Sequence, residues 1–132
     1  GNAIAGAGPA LARLARLPQL EELRLERCGL LGPDLARLAA ALPRAWLSRL
    51  DLGHNGFSSS DLLPLAGTLP RSRLEDLGLE GNALEAGQAL DTLRAACAER
   101  RIPRVRLLGN RLSAREMDAF ARVLQEARGA AS

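Results

Sequence analysis

Residues 47–57, which read LSRLDLGHNGF, contain the pattern that decides the fold. The same arrangement of apolar residues around an asparagine or cysteine occurs in segments 20–30 (LEELRLERCGL), 74–84 (LEDLGLEGNAL) and 102–112 (IPRVRLLGNRL). The asparagine or cysteine stands at positions 28, 55, 82 and 110, so successive copies are 27, 27 and 28 residues apart. A period of this length indicates similar structural units that stack in a row.

The repeated positions have a direct physical interpretation. Leucines alternate with other residues in each copy, as Leu50 and Leu52 alternate with Arg49 and Asp51, which predicts a short strand with one buried face. The second half of each repeat has apolar residues at helical spacing, which suits the crossover between parallel strands. We expect helices over residues 9–17, 33–43, 60–70, 87–99 and 114–128.

The motif L-x-x-L-x-L-x-x-N/C-x-L resembles the leucine-rich repeat (LRR). Its period, with cysteine once in place of asparagine, is similar to that of the ribonuclease-inhibitor-like subclass, which includes ribonuclease inhibitor, the C-terminal repeats of NLR receptors and Tonsoku-type scaffolds. The resemblance implies an α/β fold, a right-handed leucine-rich-repeat solenoid or horseshoe. A four-stranded parallel sheet would form its concave face, with helices on the convex face.

The repeats divide the whole chain, residues 1–132, into units of one domain. We expect repeats over 20–46, 47–73, 74–101 and 102–128, preceded by a partial repeat over 1–19 and followed by a tail over 129–132. Because an unstacked repeat exposes apolar surface, the partial repeat suggests the C-terminal fragment of a longer chain.

The polar residue after each strand predicts a ladder of hydrogen bonds. An asparagine side chain can satisfy backbone groups of the neighbouring turn, whereas a thiol does so more weakly. The members of this predicted structural ladder are Asn2, Cys28, Asn55, Asn82 and Asn110.

The residues between the leucines should line the concave face, which is the usual binding face of solenoids. One column of this face has alternating charge, from Glu22 through Arg49 and Asp76 to Arg104, and these charges could form lateral salt bridges or recognise a partner. The predicted partner-binding residues are Glu22, Arg24, Glu26, Arg49, Asp51, His54, Asp76, Glu80, Arg104, Arg106 and Leu108.

We expect the partner to contact mainly the last two strands. Arg104 can pair with Asp76, whereas Arg106 faces only Gly78 and has no obvious acidic neighbour. Glycines, including Gly78, are expected to leave open space that could admit a side chain or backbone of the partner.

The last repeat is rich in arginine, which raises nucleic acid as an alternative partner. No acidic residue separates Arg100, Arg101, Arg104, Arg106, Arg111 and Arg115. Binding of single strands also uses exposed aromatic residues, and Trp46, Phe57 and Phe120 fall at positions expected to be buried. Nucleic-acid binding is therefore possible but less favoured than binding of a protein.

Composition argues against catalysis, metal binding and a membrane-spanning helix. The chain has a net charge of +3, one histidine and two cysteines, and no apolar run of membrane-spanning length. His54 lies near Asp51, but no serine or cysteine completes a catalytic set, so we expect no enzyme activity, cofactor, metal site or small-molecule substrate. Cys28 and Cys97 lie in different repeats and should stay unpaired, which suggests an intracellular, cytoplasmic or nuclear location.

These observations favour a scaffold that binds a macromolecular protein partner through its concave sheet face. A nucleic-acid-binding module, acting through the arginine-rich last repeat, is one alternative. Resemblance to the Ran GTPase-activating protein implies a second, a GTPase-activator-like LRR domain, although no residue here can be mapped onto that activity.

Overall fold

The computed structural model describes residues 8–131, which form four β-strands and five α-helices. The strands are β1 (Glu22–Arg24), β2 (Arg49–Asp51), β3 (Asp76–Gly78) and β4 (Arg104–Arg106). The helices are α1 (Gly8–Ala15), α2 (Gly32–Ala41), α3 (Leu63–Thr68), α4 (Gln88–Arg100) and α5 (Ala114–Ala131). One helix precedes β1, and each strand is followed by a helix.

The four strands form one parallel sheet in the order β1-β2-β3-β4. Its register places Glu22 beside Arg49, Arg49 beside Asp76 and Asp76 beside Arg104. The structure thus confirms an α/β fold with a four-stranded parallel sheet, and the pairing of strands follows the predicted columns.

Leucines on the inner face of the sheet and on the helices form one hydrophobic core. The central inward residues of the strands, Leu23, Leu50, Leu77 and Val105, are at most 8% exposed. Phe57 and Phe120 are 1% exposed, as predicted. Burial of an apolar side chain of this size contributes about 1.5–3 kcal/mol, so the repeated leucines are the main stabilising feature of each unit.

The predicted helix over 60–70 is divided into three short segments. A 3₁₀ turn (Ser60–Leu62) precedes α3, and a second one (Leu69–Arg71) follows it. Pro64 lies in the first turn of α3, where its missing N–H costs no helical hydrogen bond. The sequence Leu-Pro-Arg also forms a 3₁₀ turn after α2, at Leu42–Arg44. Proline therefore divides the helical layer into segments that sequence periodicity alone does not predict.

The turn after each strand has the same backbone conformation in all four repeats. Arg27, His54, Gly81 and Gly109, each directly before the asparagine or cysteine, have φ values between 55° and 79°. Left-handed φ values favour glycine, which occupies this position in the last two repeats. The repeated conformation directs the chain away from the sheet at equivalent points.

Asparagine side chains join these turns by hydrogen bonds. Asn82 Oδ1 accepts from the backbone N–H groups of Asn55 (3.0 Å) and Phe57 (3.1 Å), and its Nδ2 donates to the carbonyls of Leu52 (3.2 Å) and Leu79 (3.1 Å). Asn55 makes equivalent bonds, accepting from the N–H groups of Cys28 and Leu30 and donating to the carbonyls of Leu25 and Leu52.

Asn110 completes this set, accepting from Leu84 N–H (3.0 Å) and donating to the carbonyls of Leu79 and Leu107. Cys28 has only a thiol and donates to the Glu26 carbonyl at 3.4 Å. Asn2 lies outside the described residues.

The expectation that Trp46 is buried is wrong, because 49% of this residue is exposed. Its neighbours Ala45 and Leu47 are buried, so the tryptophan between them points away from the core. The Arg73 guanidinium carbon lies 3.6 Å from the centroid of its ring. This cation–π contact covers part of the indole at the surface.

Candidate functional site: the open face of the sheet

The outward side chains of the four strands form a continuous charged surface opposite the core, which we call the open face. Two columns lie within the strands, and a third lies one position beyond the next leucine. The open face comprises Glu22, Arg24, Glu26, Arg49, Asp51, Gly53, Asp76, Gly78, Glu80, Arg104, Arg106 and Leu108.

Asp51 is the centre of this surface, although its side chain is only 2% exposed. The Arg49 guanidinium lies 3.1 Å from Asp51 Oδ2, and the Arg106 guanidinium donates to Oδ1. Burial alone would raise the pKa of Asp51, but the hydrogen bond from Arg106 and the charges of both arginines outweigh it and lower that pKa. Asp51 is therefore held as a carboxylate within the surface.

Arg106 extends from the edge strand β4 to three carboxylates. Besides Asp51 it reaches Asp76 Oδ1 at 3.1 Å and Glu80 Oε2 at 3.3 Å. The prediction that Arg106 has no acidic neighbour is wrong. Only Gly78 lies directly opposite Arg106, but the extended arginine side chain also reaches Asp76 and Glu80 on either side of Gly78 and crosses β3 to Asp51 on β2.

Gly78 makes this crossing possible. It lies between Asp51 and Arg106 in the sheet, and a Cβ at Gly78 would lie 2.6 Å from Asp51 Oδ1 and 2.7 Å from an Arg106 terminal nitrogen. The prediction of open space for a partner is therefore wrong at this position. The missing side chain instead provides the path for an ion pair within the protein.

The first strand belongs to the same network. Arg24 Nε lies 2.5 Å from Glu22 Oε1 and 3.7 Å from Asp51 Oδ2, and Arg49 Nε lies 3.5 Å from Glu22 Oε1. We define the charge network as the connected set Glu22, Arg24, Arg49, Asp51, Asp76, Glu80 and Arg106. It includes residues from all four strands.

The lateral pairing predicted from alternating charge is only partly present. Arg49 pairs with Glu22, but Asp76 is within salt-bridge distance of Arg106 and not of Arg104. The predicted Arg104–Asp76 pair is therefore wrong. Among residues 8–131, Arg104 has no ion pair and is exposed, because Arg106 already occupies the carboxylate.

Glu26 lies at the end of the network near β1. Its partial loss of water contact, together with the charge of Asp51 and a hydrogen bond to it, raises the pKa of Glu26 above its ordinary value. Because Asp51 has the lowered pKa and Glu26 the raised one, a proton added near this pair goes to Glu26 first. The arginine-held carboxylate stays ionised.

His54 and Leu108 lie at the rim of the open face, where the strands enter the turns. His54 is exposed, and its imidazole occupies the space that a Cβ at Gly81 would need. Leu108 is 74% exposed. Asp51 is engaged by arginines, so the arrangement offers no carboxylate-oriented histidine of the kind used in catalysis.

Arginines in and next to the last repeat serve structural contacts. Arg100 Nε donates to the Ser72 carbonyl at 2.9 Å, and Arg128 Nε donates to the Pro103 carbonyl at 3.0 Å. Because Arg106 belongs to the charge network and Arg100 bonds a backbone carbonyl, the basic sequence cluster is not a set of free cations.

Residues 8–131 contain no group of three or more histidine, cysteine or acidic side chains placed to hold a metal ion. No helix there is long and apolar enough to cross a membrane. Cys28 and Cys97 are free thiols, and burial raises the pKa of Cys97 to about 12.

The fold and the open face define an α/β protein built on stacked parallel strands, and comparisons with known proteins agree at that level. No family model and no curated protein sequence matches the chain. The tropomodulin C-terminal domain of Caenorhabditis elegans matches with a TM-score of 0.62 and 14% identity, over 94% of this chain and 95% of that one. Leiomodin-1 actin-binding site 2 matches with a TM-score of 0.71 and 14% identity, over 90% of this chain and 70% of that one.

These similarities correct the family resemblance suggested by the sequence motif. The structural neighbours are tropomodulin and leiomodin domains, not ribonuclease-inhibitor-like proteins, so the assignment to the ribonuclease-inhibitor-like subclass is wrong. The tropomodulin domain nevertheless has an LRR-like fold. The motif predicted an α/β fold with a four-stranded parallel sheet, whereas its length and its cysteine did not identify the subclass.

Proposed function

We propose that this chain is a non-enzymatic module that binds a protein through the open face. The observation that carries the proposal is the charge network, which holds the buried Asp51 between Arg49 and Arg106. Side chains fixed before binding lose less conformational entropy when a partner arrives. A charged surface with fixed geometry also favours selective recognition over general attraction.

We further propose that the sheet is the concave side of a short horseshoe. The parallel order β1-β2-β3-β4 and one helical connection per repeat support this arrangement. A sheet that curves inward would present the open face to a convex partner surface, as solenoid proteins do.

Actin is the first partner to test. The name of one structural neighbour, leiomodin-1 actin-binding site 2, supports this choice.

The experiment measures binding of the chain to actin filaments by cosedimentation and to actin monomers by titration. A variant with Arg24→Glu and Glu26→Lys changes two exposed open-face residues and keeps the net charge. We expect it to weaken binding at least about tenfold, because it inverts the local charge pattern. Its matched control, Arg37→Glu with Glu99→Lys, changes exposed residues of the helical layer and should bind as the parent does.

Equal binding by both variants would refute the open face as the site. Binding of neither actin form would exclude actin and leave the face to be tested against other proteins with the same two variants.

The two alternative functions, nucleic-acid binding and GTPase activation, are tested separately. Nucleic-acid binding has less support because Arg100, Arg106 and Arg128 are engaged within the protein, and it would weaken steeply with added salt. A GTPase activator would accelerate hydrolysis by a small GTPase.

An intracellular location fits two free thiols, one of which is fully buried.

A further inference from the structure

The edge of the sheet at β4 differs from its interior strands in its hydrogen bonding. In the first three repeats, the leucine after each strand donates its N–H to the next strand: Leu25 to Asp51 (2.8 Å), Leu52 to Gly78 (2.8 Å) and Leu79 to Arg106 (2.9 Å). The equivalent residue of the fourth repeat is Leu107. Within residues 8–131 no strand lies beyond β4, and Leu107 N–H has no backbone acceptor.

A second row of donors repeats this relationship two residues later. Arg27, His54 and Gly81 donate to the carbonyls of Gly53 (3.0 Å), Glu80 (2.8 Å) and Leu108 (2.9 Å). Gly109 is the fourth member of this row, and its N–H also lacks a backbone acceptor among the described residues. Leu107 and Gly109 thus present two donors at the spacing that one extended strand can satisfy.

An apolar groove lies next to these donors, between β4 and α5. Its cavity has a volume of about 330 Å³ and is lined mainly by Val105, Leu107, Met117, Phe120 and Leu124, with the exposed Leu108 at its border. A strand paired with β4 would direct alternate side chains into this groove, as the leucines of β3 are directed into the core.

The charges next to this edge indicate which side chain an added strand should carry. The first outward column alternates from Glu22 to Arg49, Asp76 and Arg104, and Arg104 is exposed without an ion pair in the described chain. An acidic side chain on an added strand would continue the alternation opposite Arg104. It would pair with a cation that the charge network does not use.

We propose that β4 binds an extended acidic and apolar segment of a protein partner, which adds as a parallel fifth strand. Its carbonyls accept from Leu107 and Gly109 N–H, its apolar side chains enter the groove against α5, and its carboxylate faces Arg104. This edge is a second binding surface, distinct from the exposed β1 residues that test the open face.

The probe is a synthetic peptide with the sequence of residues 74–82, LEDLGLEGN. This segment already pairs with β2, whose Arg49 is equivalent to Arg104, so it has the required pattern of leucines and an aspartate at the required register. Peptide is titrated into the ¹⁵N-labelled 132-residue chain. We expect saturable binding below about 1 mM, with shifts of the Leu107 and Gly109 amides and at least about tenfold slower exchange of their protons.

A charge exchange tests the register. Arg104→Glu should weaken binding about tenfold, and a peptide with arginine in place of its aspartate should restore it, whereas Arg37→Glu should leave binding unchanged. No binding up to about 1 mM, or shifts confined to other strands, would overturn the proposal. Concentration-dependent self-association of the chain that protects the same two amides would also overturn it, because the occupant would then be a second copy.

Discussion

At the scale of single residues, the main feature is Asp51, whose carboxylate is buried in the folded protein and remains ionised. An isolated buried carboxylate is strongly disfavoured, but Asp51 lies between two guanidinium groups that replace its hydration. The net gain from such a pair is modest, whereas removing one partner is costly. Substitutions around Asp51 are therefore more informative than the number of its ion pairs.

Replacing Gly78 with alanine should open the ion pair between Asp51 and Arg106. The new Cβ would approach both groups within 2.7 Å, so Arg106 must withdraw and leave Asp51 with fewer partners. We expect the free energy of unfolding in urea to fall by about 1–3 kcal/mol. Gly67→Ala is the control, because a Cβ there meets no atom within 4 Å. Equal stability of the two variants would contradict this role of Gly78.

Acid should weaken the fold through Asp51. Because the pKa of Asp51 is lowered in the folded state, its contribution is present above the ordinary value of 3.8 and is lost as pH falls through the lower folded value. Urea unfolding at pH 6 and pH 3 should show a smaller loss of stability for Asp51→Asn than for the parent. An identical loss in both proteins would show that Asp51 does not titrate in this way.

Glu26 should act in the opposite direction. Its raised pKa means that its contribution is present below the ordinary value of 4.5 and is lost as pH rises through the higher folded value. Glu26→Gln should therefore be slightly more stable than the parent at pH 7, as measured by urea unfolding. A less stable variant at that pH would contradict the repulsion between Glu26 and Asp51.

At the scale of elements, the asparagine ladder couples successive turns. Asn82 is 7% exposed and bonds two N–H groups and three carbonyls of neighbouring backbone, so Asn82→Ala leaves several buried groups without partners. We expect the free energy of unfolding to fall by about 2–4 kcal/mol. Cys28→Ala removes only one weak thiol bond in the same column and should cost less than about 1 kcal/mol. Similar losses for the two variants would contradict the ladder as a source of stability.

The strands could be predicted from sequence because their pattern occurs four times at spacings of 27 or 28 residues. Alternation fixed which residues face the core, and the 27-residue period placed Glu22 beside Arg49. The helical layer was less predictable, since Pro64 and Pro70 divide one expected helix into 3₁₀ and α segments. Local backbone constraints of this kind override the helical spacing of leucines.

At the scale of the whole molecule, the charge network crosses the sheet from β1 to β4. The motif predicts which residues lie on the open face, but it does not predict which of them form ion pairs with one another. Arginine has several rotatable bonds, and whether its side chain extends past an adjacent strand depends on the size of the side chain that the adjacent strand places in its path. Gly78, which lies between Asp51 and Arg106, is the sequence feature that indicates this ion pair, although its missing side chain was predicted to leave space for a partner.

The open face is held together by an ion pair between Asp51 of β2 and Arg106 of β4, two strands that are not neighbours. A double-mutant cycle measures the coupling between these two residues, with Asp51→Asn, Arg106→Met and the double variant compared with the parent by urea unfolding at pH 7. We expect a coupling free energy above about 1 kcal/mol between these positions of β2 and β4. Additive effects, within about 0.5 kcal/mol, would contradict it.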